Sequence, residues 1–239
     1  MTVLVLRLAA PLQSWGTESR FTRRTTGPAP SRSGVIGMLA AAKGLQRTDP
    51  LDELRQLRIG VRTEQPGHVV RDFHTARTRD GATSMPLSHR YYLSDAVFAV
   101  AIEGDATLLD DLQQALRRPV FPIYLGRRSC PPAGRLVWGV RDGDVTTVLE
   151  SLPWLASPAV RKAAPPVVQL TVHRDCDPAD PTGEVVRDDP ISFDPGYRQW
   201  GWRTVKRYRV DVPNPDSEHD SRTDIDDSHD PLAPLREAL

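Results

Sequence analysis

Residues 31–44 read SRSGVIGMLAAAKG, and this stretch decides the fold. Val35, Ile36, Met38, Leu39 and Ala42 recur at helical spacing. Ser31 or Ser33 can cap the first turn and Gly44 can end the last one, so the spacing predicts a helix over 33–46. Working outward, TVLVLRLA at 2–9 is aliphatic and β-branched, as a strand buried on both faces is. A long polar loop, 10–32, joins strand to helix. On the far side, residues 57–64 alternate apolar with polar and read as a half-buried second strand.

The pattern continues in kind. Residues 73–90 contain Arg77, Arg79, Arg90, two histidines, Gly81 and Pro86 with little periodicity, which suits an extended loop or hairpin projecting from the core. Residues 91–102 resume as a strand. Leu108, Leu109, Leu112, Ala115 and Leu116 then repeat at helical spacing behind a cap from Asp105 or Thr107, with Arg117 and Arg118 at the negative end of the helix dipole. A strand over 135–140 closes the unit. The order β-α-β-β-α-β is the ferredoxin-like pattern, an α+β class. Proline-rich residues 151–166 read as a linker or irregular connection, and 167–172, 184–187 and 204–212 as a small C-terminal β region. The chain thus divides at 1–150, 151–212 and 213–239, the last an acidic tail expected to be mobile.

The formal net charge is zero, but the average conceals a split. From Pro213 onward there are 8 acidic and 2 basic residues, leaving a net charge of +6 on residues 1–212. Residues 1–47 carry seven Arg or Lys against the single acid Glu18, and no Asp or Glu lies between Leu112 and Arg141. Two cysteines, Cys130 and Cys176, cannot build a disulfide framework or a four-cysteine zinc site, so the chain reads as cytoplasmic. The N-terminal apolar run is interrupted by Arg7 and is too short to span a bilayer, so no membrane partner is expected.

Residues 124–132, YLGRRSCPP, carry the most telling chemistry. Gly126 admits a phosphate close to the main chain, Arg127 and Arg128 offer planar forks matching phosphate oxygens, and Tyr124 offers a face for base stacking. A surface turn with two solvated arginines is the plain alternative. Likewise, the exposed amides of Ser31-Arg32-Ser33-Gly34 can bind a phosphate at a positive helix end, or simply open a capped helix packed closely through its glycines. Trp15 is a stacking platform or a core anchor. The late run Arg198, Arg203, Lys206, Arg207 and Arg209, interleaved with Tyr197, Trp200, Trp202 and Tyr208, forms a second candidate surface. Arg203, Arg207 and Arg209 there share one strand face. His173, Asp175, Cys176 and Asp177 are consecutive or nearly so on a strand and do not converge on a metal ion. His219 and His229 allow at most weak metal affinity, and neither a metal nor a cofactor is expected.

PLQSWG at 11–16, SRSGVIGMLAAAKG at 31–44, RDFHT at 71–75 and YLGRRSCPP at 124–132 together resemble the CasD family. These are the subtype I-E members of the fifth Cas protein family, RAMP subunits of the CRISPR surveillance complex Cascade. The strand HRYYLSDAVFAVAI at 89–102 fits as well, and the likeness spans roughly residues 1–140. The resemblance implies an RRM-like domain with a protruding thumb, here at about 76–90, that holds the 5′ handle of the guide crRNA. It implies a non-catalytic subunit joining the Cascade large subunit to the backbone RAMP subunits, with target DNA close to the start of the guide. The expected RNA-binding residues are Arg32, Ser33, Gly34, Arg71, His74, Arg77, Tyr124, Gly126, Arg127, Arg128 and Ser129. A rival reading is a metal-independent endoribonuclease processing repeat RNA, with His74 or His89 as general base.

Overall fold

The computed structural model describes residues 1–16, 19–20 and 23–218. The first half runs β1 (Thr2–Ala9), β2 (Leu12–Gln13), β3 (Ser19–Arg20), β4 (Arg23–Arg24), α1 (Arg32–Lys43), α2 (Asp52–Arg55), β5 (Arg58–Gln65), β6 (His68–His74), β7 (Ser88–Ser94) and β8 (Val97–Gly104). The second half runs α3 (Ala106–Arg117), β9 (Val137–Asp142), α4 (Val145–Ser151), α5 (Pro158–Ala163), β10 (Val167–Asp175), β11 (Glu184–Ser192) and β12 (Gln199–Pro213).

β1 is aliphatic on both faces because it lies inside an antiparallel sheet covered on both sides. It pairs with β8 along its whole length and with β9 on its other edge. Leu4, Leu6 and Leu8 pack against Val35, Ile36 and Leu39 of α1 and Leu109, Leu112 and Leu116 of α3. Val3 and Val5 face the opposite way, with Ala99 and Ala101, onto Val145, Val148 and Leu149 of α4. The sheet has seven strands in the order β11-β12-β10-β5-β8-β1-β9. Helices α1 and α3 begin at the caps their sequence offers. Ser31 Oγ accepts from the Gly34 amide at 3.2 Å, Gly44 leaves α1 with φ 82°, and Asp105 accepts from the amides of Thr107 and Leu108.

A second sheet, β2-β7-β4-β3 with β6 on β7, projects from this body. The strand expected over 91–102 is two strands: Asp95, with φ 56°, breaks it, and β7 belongs to the second sheet while β8 belongs to the first. The extended loop or hairpin expected over 73–90 is a hairpin that begins at β6, returns through β7 and is extended by the Arg77–Ser84 bridge. β6 is exposed throughout.

The residues expected as a linker or irregular connection, 151–166, are a packed connection that includes α5. Trp154 is buried and its Nε1 donates to the Glu64 carbonyl at 2.8 Å. Arg62 and Glu64, both fully buried, form a bidentate pair at 2.6 and 3.2 Å, and Arg62 also donates to the carbonyls of Leu149, Leu152 and Pro153. A buried pair of this kind is held by its geometry, since each ion has lost its water. The C-terminal strands extend the main sheet directly, because β10 pairs with β5 through Val172–Arg62, His173–Val61 and Arg174–Gly60. The start of the acidic tail is also ordered: Asn214 is buried, its Nδ2 donates to the carbonyls of Arg161, Ala164 and Pro165, and Lys162 pairs with Glu218 at 2.6 Å. The remainder of the expected mobile segment, 219–239, with His219 and His229, lies outside the described residues.

Candidate nucleic-acid interface

Three of the four motifs flank β7, the strand of the second sheet that runs on into the body. β2 pairs with β7 through Leu12–Ser94 and Gln13–Leu93. One residue further on, the Ser14 amide donates to the Leu125 carbonyl at 3.1 Å, which docks the 124–130 loop beside β2. The loop is closed by bonds from Leu125 to Cys130 at 2.7 Å and from Cys130 back to Arg127 at 2.8 Å. Leu125 and Cys130 fill the core beneath it, and burial pushes the Cys130 thiol pKa up, so it acts as an apolar filler. Gly126 has φ 93°, and a Cβ there would lie 1.7 Å from the Ser14 carbonyl oxygen. That close approach, rather than an incoming phosphate, is what requires glycine.

Arg127 is the clasp of the arrangement. Its guanidinium donates to the Tyr91 carbonyl at 3.0 Å and the Arg24 carbonyl at 2.9 Å and stacks over the Tyr92 ring at 4.7 Å. It therefore ties the loop to β7 and β4 from within. Arg128 is exposed and makes no hydrogen bond or ion pair with another described residue. Tyr124 is half-buried, and Ser129 is exposed beside Cys130. Around the loop, Arg71 lies opposite Tyr91 in register, and Arg23 stacks over the Tyr91 ring at 5.3 Å. Arg71, Arg77, Arg23 and Arg24 are all exposed. Cations, an aromatic ring and a close-packed turn thus share one region of the second sheet.

The α1 start belongs elsewhere. Arg32 is only 6% exposed, and its guanidinium donates to Asp189 at 2.8 Å, to Asp175 at 2.7 Å and to the carbonyls of Leu57 and Arg55. Its backbone amide donates to Asp188 at 2.8 Å, so the anion at this helix end is the chain's own carboxylate. Asp188 and Asp175 also hold Arg203, and Asp189 holds Arg55 at 3.0 Å. The reading of Arg32, Ser33 and Gly34 as a phosphate site is corrected: the donors are spent in a buried ion network, Ser33 Oγ lies 3.3 Å from Ser31 Oγ, and a Cβ on Gly34 would strike Trp15 at 2.8 Å. Trp15, 1% exposed and bonded through Nε1 to Gln13, is the core anchor. Arg203 likewise leaves the expected basic stripe of β12, of which Arg207 and Arg209 stay exposed. Asp188 and Asp189 carried no signal in the sequence, since a pair of acids before a proline reads as a turn.

His74 and His89 are not placed to work together. His74 lies opposite Ser88 and His89 opposite Phe73, so the two fall on opposite faces of the hairpin. His74 Nε2 pairs with Asp72 at 2.7 Å. The Phe73 amide and His74 hold the Asp72 carboxyl below the usual range. Among the described residues no group of His, Cys, Asp and Glu is arranged to hold a metal ion, and no helix is long and apolar enough to cross a membrane.

Residues 3–206 match the model of the CRISPR-associated protein (Cas_Cas5) family. The Cascade subunit CasD of Escherichia coli (strain K12) is 37% identical over 149 residues, 54% of this chain and 66% of that subunit, so the aligned part falls just short of two thirds of the relative's length. A chain of a CRISPR RNA-guided surveillance complex superposes with a TM-score of 0.75 at 34% identity, covering 92% of this chain and 95% of that one. A crystal structure of a Cas protein gives 0.69 at 33% identity, covering 91% and 98%. Motifs, fold and relatives agree, and the chain belongs to the CRISPR-associated Cas_Cas5 family, with CasD-like sequence.

Proposed function

We propose that the protein is a non-catalytic subunit of a Cascade-type surveillance complex that grips the 5′ handle of the guide crRNA with the second sheet and the 124–130 loop. The observation that carries this reading is the grouping of Arg71 and Arg23 about Tyr91 on the second sheet, next to a loop that Arg127 ties to the Tyr91 and Arg24 carbonyls and that presents the exposed Arg128. Exposed guanidinium groups bind phosphates as forks, and a tyrosine flanked by arginines stacks an unpaired base. Tyr124, Gly126 and Ser129 lie in the same loop as Arg128, and His74 ends the β6 strand that carries Arg71. Arg127 acts by positioning, because its donors already have backbone partners.

The strand order β5-β8-β1-β9, with α1 and α3 on one face, supports a ferredoxin-like, RRM-like core. The β6–β7 hairpin is the thumb, reaching toward a neighbouring backbone subunit near the start of the guide, where target DNA first pairs. The large subunit caps the same end of the complex, in the cytoplasm. The endoribonuclease reading would rest on His74 or His89 alone as base; His74 is paired with Asp72, and the two histidines fall on opposite faces of the hairpin.

The test is handle-RNA binding by the assembled complex carrying Arg71→Ala and Arg128→Ala. Affinity is expected to fall about tenfold, and the log–log salt dependence to become shallower by about 0.7 for each phosphate that is no longer neutralised. Unchanged affinity and slope would reject the assignment.

A further inference from the structure

The β11–β12 hairpin carries an aromatic and cationic face that the handle grip does not use. Trp200 and Trp202 alternate onto one side of β12, and Trp202 is 67% exposed, with Tyr197 69% exposed in the turn before it. Each tryptophan is flanked by an arginine: Arg187 lies 5.8 Å from the Trp202 ring centre and Arg198 lies 5.9 Å from that of Trp200. Arg187 Nε also donates to the Trp200 carbonyl at 3.5 Å. Further along the same face stand Lys206 and, opposite it in register on β10, Arg174. Of the acids near these cations, Asp180 pairs with Lys206 at 3.5 Å, and Asp144 lies close to Arg174, whose Nη1 donates to the Asp175 carbonyl at 3.1 Å. Other acids of the hairpin, Asp188 and Asp189, are committed to Arg32, Arg55 and Arg203.

From this arrangement we infer that the Trp200–Trp202 face is a second binding site for single-stranded nucleic acid, separate from the handle grip and independent of it. A large indole left open to solvent costs free energy unless something covers it, and here its neighbours are positive, so the matching cover is a polyanion with flat apolar faces. Bases stack on the open side of Trp202 while Arg187, Arg198 and Arg174 meet phosphates; stacking of this kind tolerates any base. The α4 cluster reaches this face only as far as Val172, Tyr208 and Val210, which leaves the Trp200–Trp202 end of β12 beyond it.

The experiment uses the full chain carrying Arg71→Ala and Arg128→Ala, which removes the handle grip, and fluorescein-labelled 12-nucleotide oligo-U, oligo-dT and a duplex of equal length. Single strands are expected to bind more tightly than the duplex and to quench tryptophan fluorescence. Adding Trp202→Ala is expected to weaken single-strand binding about tenfold, and Trp202→Phe to restore most of it. The oligo-U and oligo-dT arms tell whether guide or displaced DNA is the better fit. Equal affinity with and without Trp202, or a Trp202→Ala defect confined to assembly with partner subunits, overturns the proposal and makes the face a protein-binding surface. Failure of either site leaves the other's result standing.

Discussion

At the scale of single residues, arginines in similar motifs have opposite uses. Arg32 and Arg128 look alike in sequence, each in a short Ser- and Gly-containing motif, yet one is buried among three aspartates and the other is exposed and unpaired among the described residues. Arg32→Ala would strand buried carboxylates and is expected to cost about 3–5 kcal/mol of stability by denaturant unfolding. Arg128→Ala is expected to stay within about 0.5 kcal/mol of wild type in the same experiment. Gly126→Ala sets a methyl against the Ser14 carbonyl at a positive φ, and a decrease in stability of about 2 kcal/mol or more with weakened handle binding is expected. His173, on β10 beside Arg207, has its pKa held below 6.5, first by burial and then by that arginine. The unfolded chain therefore binds the proton more readily than the folded one. Stability is full above about pH 6.5 and falls as the pH drops toward the folded value. Denaturation at pH 7.5 and 5.5 should show wild type losing more than His173→Gln.

At the scale of elements, what the sequence carried depended on whether the pattern was local. β1 and α1 were legible because apolar period, cap and terminal glycine agree within a dozen residues. α4 was missed: seven residues with two threonines and two valines have low helix propensity, and only burial of Val145, Val148 and Leu149 on the sheet holds them. β11 was read short because Pro190 interrupts it, which an edge strand with shifted register tolerates. Asp95 divides β7 from β8 within a two-residue polar break, Ser94-Asp95, between apolar runs, too short in sequence to announce a change of sheet. The hairpin tip makes its bonds locally, between Thr78, Asp80 and Thr83 and between Met85 and Ala76. Replacing residues 76–86 by a two-residue Asn-Gly turn is expected to leave the melting temperature within about 2 °C, since exposed segments far from the core contribute little. Assembly with the neighbouring subunit is expected to fail in the same variant; a large drop in melting temperature would show instead that the hairpin supports the body.

At the scale of the whole molecule, one ion network and one clasp set the layout. Asp175, Asp188 and Asp189 bind Arg32, Arg55 and Arg203, fastening β10–β12 to α1 and the start of β5, while Arg127 fastens the second sheet to the loop. These long-range pairings are why the candidate site was only partly legible. The sequence named the loop and the hairpin root as cationic, but not which guanidinium groups the fold consumes. Arg23, among the seven cations of the opening segment, joined the site only through its stack on Tyr91. The central claim, that the second sheet and the 124–130 loop hold the guide's leading end, is tested most directly by photo-crosslinking a 4-thiouridine-labelled handle in the assembled complex and mapping the adducts by mass spectrometry. Adducts on residues 71–77, 91 and 124–129 are the predicted result. A handle crosslinked wholly to other subunits, with these segments unmodified, would contradict the account.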